Sequence, residues 1–293
     1  NIAGCSLLSD PVIRDVRFLQ ELDLSFLPFL TDRAVSRACK SCENIKILRV
    51  CDCCSLEHPM IEGDLIEFVD IQRCKLVCDA AVTHLAAKCT RLKTLVLFSC
   101  DSLENFELSS SSLCDLNASC CRRLTDHAVQ FLLTYCTSLH RLMVCHCDSL
   151  QSPNLDLVDS SKLSELLCHY CLHLKDGFVD AVRQRCPELV KLGLVGCVSL
   201  DSPFCGPPAQ HKSSRGGKVG LNCLDLSKMP NLKDQVLTQA TASEPLQDLQ
   251  VMCCSSIFQA DIRSKTLVTI NLSFCDSAQD TLVNQLCAGC PNL

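Results

Sequence analysis

The sequence predicts an open α/β solenoid, a horseshoe whose concave wall is a parallel β-sheet and whose convex wall alternates between helices and non-helical segments. The first of three observations is a recurring frame. "LQELDLSFLPFLTD" at Leu19, "LCDLNASCCRRLTD" at Leu113 and "LSELLCHYCLHLKD" at Leu163 share one apolar spacing and end in Asp. With the first Leu or Ile as position 1, the frame restarts at Leu19, Ile45, Ile66, Leu92, Leu113, Leu139, Leu163, Leu189, Leu221, Leu246, Leu267 and Leu293. The second observation is the spacing of these starts: 26, 21, 26, 21, 26, 24, 26, 32, 25, 21 and 26 residues. Long and short units alternate, so the repeating object is a pair. The third is a change of period inside each unit, from 2 in the first half to helical in the long units' second half. A fixed period of 20–29 residues with this pattern is the signature of leucine-rich repeats.

Each element follows from the frame. The strand is expected over about positions 3 to 7. Positions 4 and 6 face the core and positions 3, 5 and 7 the concave surface, because successive side chains alternate along a strand. Position 8 is the strand exit. The long units then carry "TDRAVSRACKSC" (31–42), "CDAAVTHLAAKC" (78–89) and "TDHAVQFLLTYC" (125–136), with Asp near a helix start and apolar residues at helical spacing. The short units lack room for a helix. Their Phe106-x-Leu108 and Leu155-x-Leu157 predict extended or turn segments on the convex side. At the N-terminus, "IAGCSLLSD" fits positions 6 to 14 of a preceding repeat, with Ile2 and Cys5 in rung places. At the other end Leu293 opens a repeat that does not follow. Residues 1–293 are therefore expected to be a single solenoid of about 11 complete repeats with partial ones at both ends, cut from a longer protein. The long spacing of 32 marks an inserted loop at 201–220, rich in Gly, Pro and Ser, with basic His211, Lys212, Arg215 and Lys218. It reads as a surface insertion, or as a lid carrying Ser213 and Ser214.

Composition excludes several functions. A net charge of −6 supplies no basic field for nucleic acid and no polybasic membrane patch. No apolar run approaches the roughly 18 residues of a membrane span.

The 27 cysteines need an account of their own. "VCHCDSL" and "LLCHYCLHLKD" bring Cys145, His146 and Cys147, then Cys168, His169, Cys171 and His173, into zinc-like proximity. The frame sorts them otherwise. Position 9 holds Cys5, Cys53, Cys74, Cys100, Cys121, Cys147, Cys171, Cys197, Cys254 and Cys275, and the helix ends hold Cys42, Cys89, Cys136, Cys186 and Cys290. A metal does not explain that period, whereas small buried hydrophobes do. Within "LLCHYCLHLKD", Cys168 and Cys171 point inward and His169 outward, so one ion cannot take all three. No metal or cofactor is expected. An odd count in an apolar-rich chain favours reduced thiols, hence the cytoplasm or nucleus.

The central concave positions are the candidate site. Val96, Phe98, Met143, Leu167, His169, Tyr170 and Val195 form an apolar and aromatic band, flanked by Arg49, Arg73, Arg141 and Glu165. Aromatic and Arg residues ringed by polar groups are the composition of a protein-binding hot spot. Phe98, Arg141, Met143, His146, Glu165, Leu167, His169 and Tyr170 are the residues expected to touch a protein partner. Cys145 and His169 sit at the same position of neighbouring rungs and form the one candidate nucleophile–base pair. No H-E-x-x-H, G-x-S-x-G or P-loop accompanies them, so the chain reads as a binder rather than an enzyme.

The run C-x-x-L-[TS]-D, then A-V-x-x-L-x-x-x-C and often P-x-L, as in "CRRLTDHAVQFLLTYCTSL", resembles the cysteine-containing leucine-rich repeats of F-box proteins and of the related mitotic-exit antagonist family. The resemblance covers essentially the whole chain. Short repeats such as "SLQSPNLDL" and "SLDSPF" look like those of the larger plant-type F-box leucine-rich proteins. It implies the substrate receptor of a Skp–cullin–F-box ubiquitin ligase, docked to the Skp-type adaptor through an F-box upstream of the repeats that this chain lacks. The alternative is a stand-alone scaffold or inhibitor without ligase function. Ribonuclease-inhibitor-like repeats also alternate and are Cys-rich, but their units are longer and lack the C-x-x-L-T-D run.

Overall fold

A computed structural model describes residues 1–11, 16, 18–158, 162–204 and 220–293. The chain divides into two compact units, Asn1–Cys147 and Asp148–Leu293. Residues 205–219, which hold most of the 201–220 insertion with His211, Lys212, Ser213, Ser214, Arg215 and Lys218, lie outside the described residues.

The first unit contains β1 (Glu21–Asp23), α1 (Asp32–Ser41), β2 (Ile47–Arg49), β3 (Phe68–Asp70), α2 (Asp79–Lys88), β4 (Thr94–Val96), β5 (Asp115–Asn117), α3 (Asp126–Tyr135) and β6 (Arg141–Met143). Its strands pair in parallel in chain order, and equal frame positions face each other, as in Glu21↔Ile47↔Phe68↔Thr94. The second unit contains β7 (Glu165–Leu167), α4 (Asp176–Arg185), β8 (Lys191–Gly193), β9 (Cys223–Asp225), α5 (Asp234–Ser243), β10 (Asp248–Gln250), β11 (Thr269–Asn271) and α6 (Asp280–Gly289). It repeats the same parallel, in-register order.

The strands cover positions 3 to 5 rather than 3 to 7. The cause lies at position 8, where the backbone turns left-handed in every unit. Phe26, Asp52, Arg73, Ser99, Cys120, His146, Tyr170, Lys228, Cys253 and Phe274 have φ between 54° and 62°, and Gly196 has 68°. A left-handed residue ends the extended run, at a cost of about 1–2 kcal/mol for a non-Gly residue. Cross-rung bonding nonetheless continues past the strand. Leu24 N–H reaches Arg49 O at 2.8 Å and Phe26 N–H reaches Cys51 O at 2.7 Å. The N-terminal segment joins this ladder at the expected positions, since Ile2 N–H meets Asp23 O at 3.1 Å and Gly4 N–H meets Ser25 O at 2.9 Å.

The core follows the frame. Positions 1, 4 and 6 are buried in most repeats, as with Leu92, Leu95 and Leu97. Each such side chain contributes about 1.5–3 kcal/mol by leaving water. The three helices expected in the first unit lie inside their predicted segments. Thr31 caps α1 by accepting Ala34 N–H at 3.2 Å. The Asp that opens the helices has a second task. Its carboxylate takes two backbone N–H groups of the following short repeat: Asp32 holds Glu57 and His58, Asp79 holds Glu104 and Asn105, Asp176 holds Asp201 and Ser202, and Asp234 holds Phe258 and Gln259, at 2.9–3.2 Å. Four short repeats thus present two backbone N–H groups each to a carboxylate fork.

One sequence expectation needs correction, the burial of Cys5, and the short segments differ in how they turn. Phe106 and Leu108 are both buried, but of Leu155 and Leu157 only the first is, and Leu157 is 63% exposed. The chain turns at 156–157, which puts Val158 into the core in its place. Cys5 is exposed, unlike the other position-9 cysteines.

The cysteines are more than small fillers. Every described cysteine is a free thiol. At position 9 the thiol donates to the position-6 carbonyl of the preceding rung, at 2.8–3.4 Å, in Cys53, Cys74, Cys100, Cys121, Cys147, Cys197, Cys254 and Cys275. Cys136 at a helix end does the same to Leu108 O at 3.2 Å. Burial pushes the thiols of Cys89, Cys121 and Cys136 up to about 12, which keeps them protonated and donating.

In the second unit Arg183 of α4 is buried at the centre of a polar cluster. Its Nε donates to Glu244 Oε1 at 2.9 Å, Nη1 to Asp180 at 3.2 Å and Nη2 to the Ser243 hydroxyl at 3.0 Å. Glu244 Oε2 accepts Leu221 N–H at 3.1 Å, and the Phe204 ring lies 4.6 Å from the guanidinium. Both ends of the insertion are therefore anchored on one ion pair.

Candidate partner-binding surface

The concave residues fall into two groups, one per unit. In the first unit Phe98 is half-buried at position 7, Arg141 and Met143 open and close β6, and His146 is exposed at the following left-handed turn. Register places Met143 opposite Asn117 and Asn117 opposite Val96. The arginines here are laterally paired. Arg49 bonds Glu21 and lies 5.3 Å over the Phe68 ring, Arg73 meets Asp52 at 3.0 Å, and Arg141 stands 3.9 Å from Asp115. These exposed pairs are worth about 0–1 kcal/mol each and cancel much of the surface charge.

Position 7 has a structural duty that the sequence reading did not assign. In four short rungs the position-7 N–H lies beyond the short strand and takes a side-chain acceptor from the rung before. Ser25 Oγ accepts Cys51 N–H, Ser119 Oγ accepts Cys145 N–H and Ser227 Oγ accepts Met252 N–H, all at 3.1 Å. These serines are buried rather than presented to solvent. They are held by Asp or Asn at position 5, whose oxygen accepts their own N–H at 3.0 Å in Asp23, Asn117 and Asp225. Asp70 and Asn271 do likewise for Gln72 and Ser273.

The long repeat at Leu163 breaks that pattern. It carries Leu167 and His169 where the other long repeats carry Asp or Asn and then Ser or Gln. His169 performs the serine's task, with Nδ1 accepting Val195 N–H at 3.1 Å. The bulky ring needs space, and the next rung provides it. A Cβ added at Gly193 would lie 2.3 Å from His169 Cε1 and 2.9 Å from Leu167 Cδ2, and one at Gly196 would lie 2.6 Å from Tyr170 Cδ1. The histidine and tyrosine rings thus lie against two glycines of the neighbouring rung. Tyr170 is fixed at its far end by Lys228, whose ammonium meets the phenol oxygen at 2.9 Å. That contact holds the Lys228 ammonium above its usual lysine value. Glu165, at the start of β7, pairs with Lys191 at 2.9 Å.

Beside these rings the sheet forms a recess of about 180 Å³ lined by residues that include Leu167, His169, Gly193, Cys223, Asp225 and Asp248. Leu167 and His169 were singled out from sequence. Gly193, Asp225 and Asp248 were not, although Gly at position 5 of the rung beside an atypical long repeat was visible. Phe98, Arg141, Met143 and His146 belong to the first unit and do not line this recess.

For catalysis, Cys145 belongs to the first unit and His169 to the second, and His169 Nδ1 already serves as an acceptor. Among the described residues no group of three or more His, Cys, Asp or Glu side chains is placed to hold a metal ion. No helix among them is long and apolar enough to cross a membrane.

In-register parallel strands, a left-handed turn at position 8, inward Leu and Cys, and, among the described residues, helices only in the long units define a leucine-rich repeat protein. No family model and no curated protein matches the chain. Among solved structures, it is similar to a chain from the crystal structure of the yeast Rad7–Elc1 complex, over 90% of this chain and 78% of that one, at 18% identity and a TM-score of 0.41. The repeat assignment rests on the geometry of the chain itself.

Proposed function

We propose that the chain is a protein-interaction module that takes its target on the concave face. In the fuller form of this reading it is the substrate-recognition part of a Skp–cullin–F-box ubiquitin ligase, working in the cytoplasm or nucleus. The observation that carries the interaction role is the Leu163 rung. There a polar Asp/Asn-and-Ser pair gives way to Leu167, His169 and Tyr170, with Gly193 and Gly196 making room. Aromatic and apolar groups on a rigid, water-facing sheet are what a partner's side chains bury against. The ligase role is supported by the C-x-x-L-T-D resemblance and requires the Skp-type adaptor to bind outside these repeats. Phe98, Arg141, Met143, His146, Glu165, Leu167, His169 and Tyr170 remain the proposed contact residues. The test is co-purification of the full-length protein with a Skp-type adaptor and with its target, beside the Phe98→Ala/Tyr170→Ala variant. The reading expects the adaptor retained and the target lost in the variant. Absence of the adaptor leaves a stand-alone scaffold or inhibitor. Full target capture by the folded variant removes the concave site.

A further inference from the structure

We propose that the recess beside Gly193 receives a single basic side chain, an arginine in preference to a lysine, presented by the protein partner. This rests on concave-face binding and adds the chemistry that the face selects. Size sets the class of occupant. At about 180 Å³ the recess is below the roughly 300–1,000 Å³ of sites for free small molecules, and one long side chain fits it.

Charge selects the side chain. Lys191 lines the recess but is neutralised by Glu165 at 2.9 Å. Cys223 is kept a neutral thiol, its pKa raised by burial and by Asp248. Asp225 and Asp248 are left as the uncompensated charges. They stand on adjacent strands, β9 and β10, at positions 5 and 3, so they flank one site on the same face. Each uses one oxygen inside the chain. Asp225 Oδ1 accepts Ser227 N–H at 3.0 Å, while Asp248 Oδ1 accepts Gln250 Nε2 and the Thr269 hydroxyl, both at 2.7 Å. The second oxygens face a cation that donates in two directions. A planar guanidinium does so from its two edges, whereas an ammonium is a point charge. Leu167 and Gly193 give the aliphatic stem an apolar bed, and the imidazole of His169 closes one wall. A phosphate or an acidic peptide meets two like charges here and is excluded.

The test is selection of random displayed peptides on the intact chain, followed by measured binding of the selected peptides. The variant is Asp225→Asn/Asp248→Asn, in which the amide oxygens keep the internal acceptor roles while both charges vanish. Expected are peptides sharing an arginine, with affinity at least tenfold lower for the double variant at unchanged melting temperature, and weaker with added salt. Peptides that share lysine and are lost equally keep the basic side chain but overturn the preference for arginine. Peptides without a common basic residue, or basic peptides indifferent to the double variant, overturn the proposal. If such peptides still lose binding in Phe98→Ala/Tyr170→Ala, the concave reading survives and the basic recess alone falls. If neither variant affects binding, or no peptide is selected, both fall.

Discussion

The two units are built on one frame and differ in how strictly they keep it. In the first unit the spacing alternates regularly between 26 and 21, and Asp23, Asp70 and Asn117 support Ser25, Gln72 and Ser119 on successive long rungs. In the second unit Leu167 and His169 replace that pair, two glycines stand opposite, and an insertion is anchored on a buried ion pair. The lesson is that the same backbone requirement, an acceptor for the next rung's N–H, is met by a buried serine in one place and by an imidazole in another. A serine leaves a closed polar surface. An imidazole on the same duty builds a wall beside an opening, and the irregular unit is where a recess appears.

Alkali acts on what the units share and gives the largest effect. Buried thiols such as Cys121, Cys136 and Cys254 have raised pKa values, so at these positions the folded state keeps protons that the unfolded chain releases above about 8.5. Stability is therefore full below that pH and falls as pH rises toward 11 or 12. Each such thiol costs up to about 1.4 kcal/mol per pH unit. Urea unfolding at pH 8, 9 and 10 under reducing conditions checks the sign; a flat profile contradicts protonated buried thiols.

Arg183→Ala tests the irregular unit's own anchor. It leaves Glu244 buried without its cation and is expected to cost about 3–5 kcal/mol. Replacing both partners by Met should cost less than the single change, as calorimetry on the two variants would reveal.

Gly196→Ala separates the units at one frame position. Alanine there meets the Tyr170 ring and a left-handed backbone, for an expected loss of about 1–3 kcal/mol. Ser99→Ala at the equivalent position of the first unit replaces one non-Gly residue by another and should stay within about 0.5 kcal/mol. Adding Tyr170→Ala should recover part of the Gly196→Ala loss, a coupling read by a double-mutant cycle.

A smaller difference, between two substitutions at His169, is the most specific to the comparison. His169→Ala strips the acceptor from Val195 N–H and should cost about 1–3 kcal/mol, like Ser119→Ala in the first unit. His169→Ser should cost less than His169→Ala, because serine holds the same N–H elsewhere in the chain. Equal losses for both would mean that the imidazole contributes packing only.

Much of this was legible in the sequence, for a physical reason. Burial imposes apolar residues at fixed intervals, so the strand positions, the helices after the C-x-x-L-T-D run and the inward cysteines can be counted off. The left-handed turn at position 8 was not legible, because residues as unlike as Phe26, Asp52 and Tyr170 adopt it, and only Gly4 and Gly196 hint at it. At the candidate site, Leu167, His169 and Tyr170 stood out as apolar or aromatic on a solvent-facing sheet. Their setting did not, since Gly193, Gly196 and Asp225 come from rungs 26 or more residues further along, and such a contact exists only once the register is fixed.

The most direct measurement is site-specific photocrosslinking in the full-length protein with its target. One crosslinker replaces Gln250, at the rim of the recess, and another replaces Gln184, exposed on α4. The account predicts a target adduct from position 250 and none from 184. An adduct from 184 with none from 250 would contradict the concave face as the binding surface.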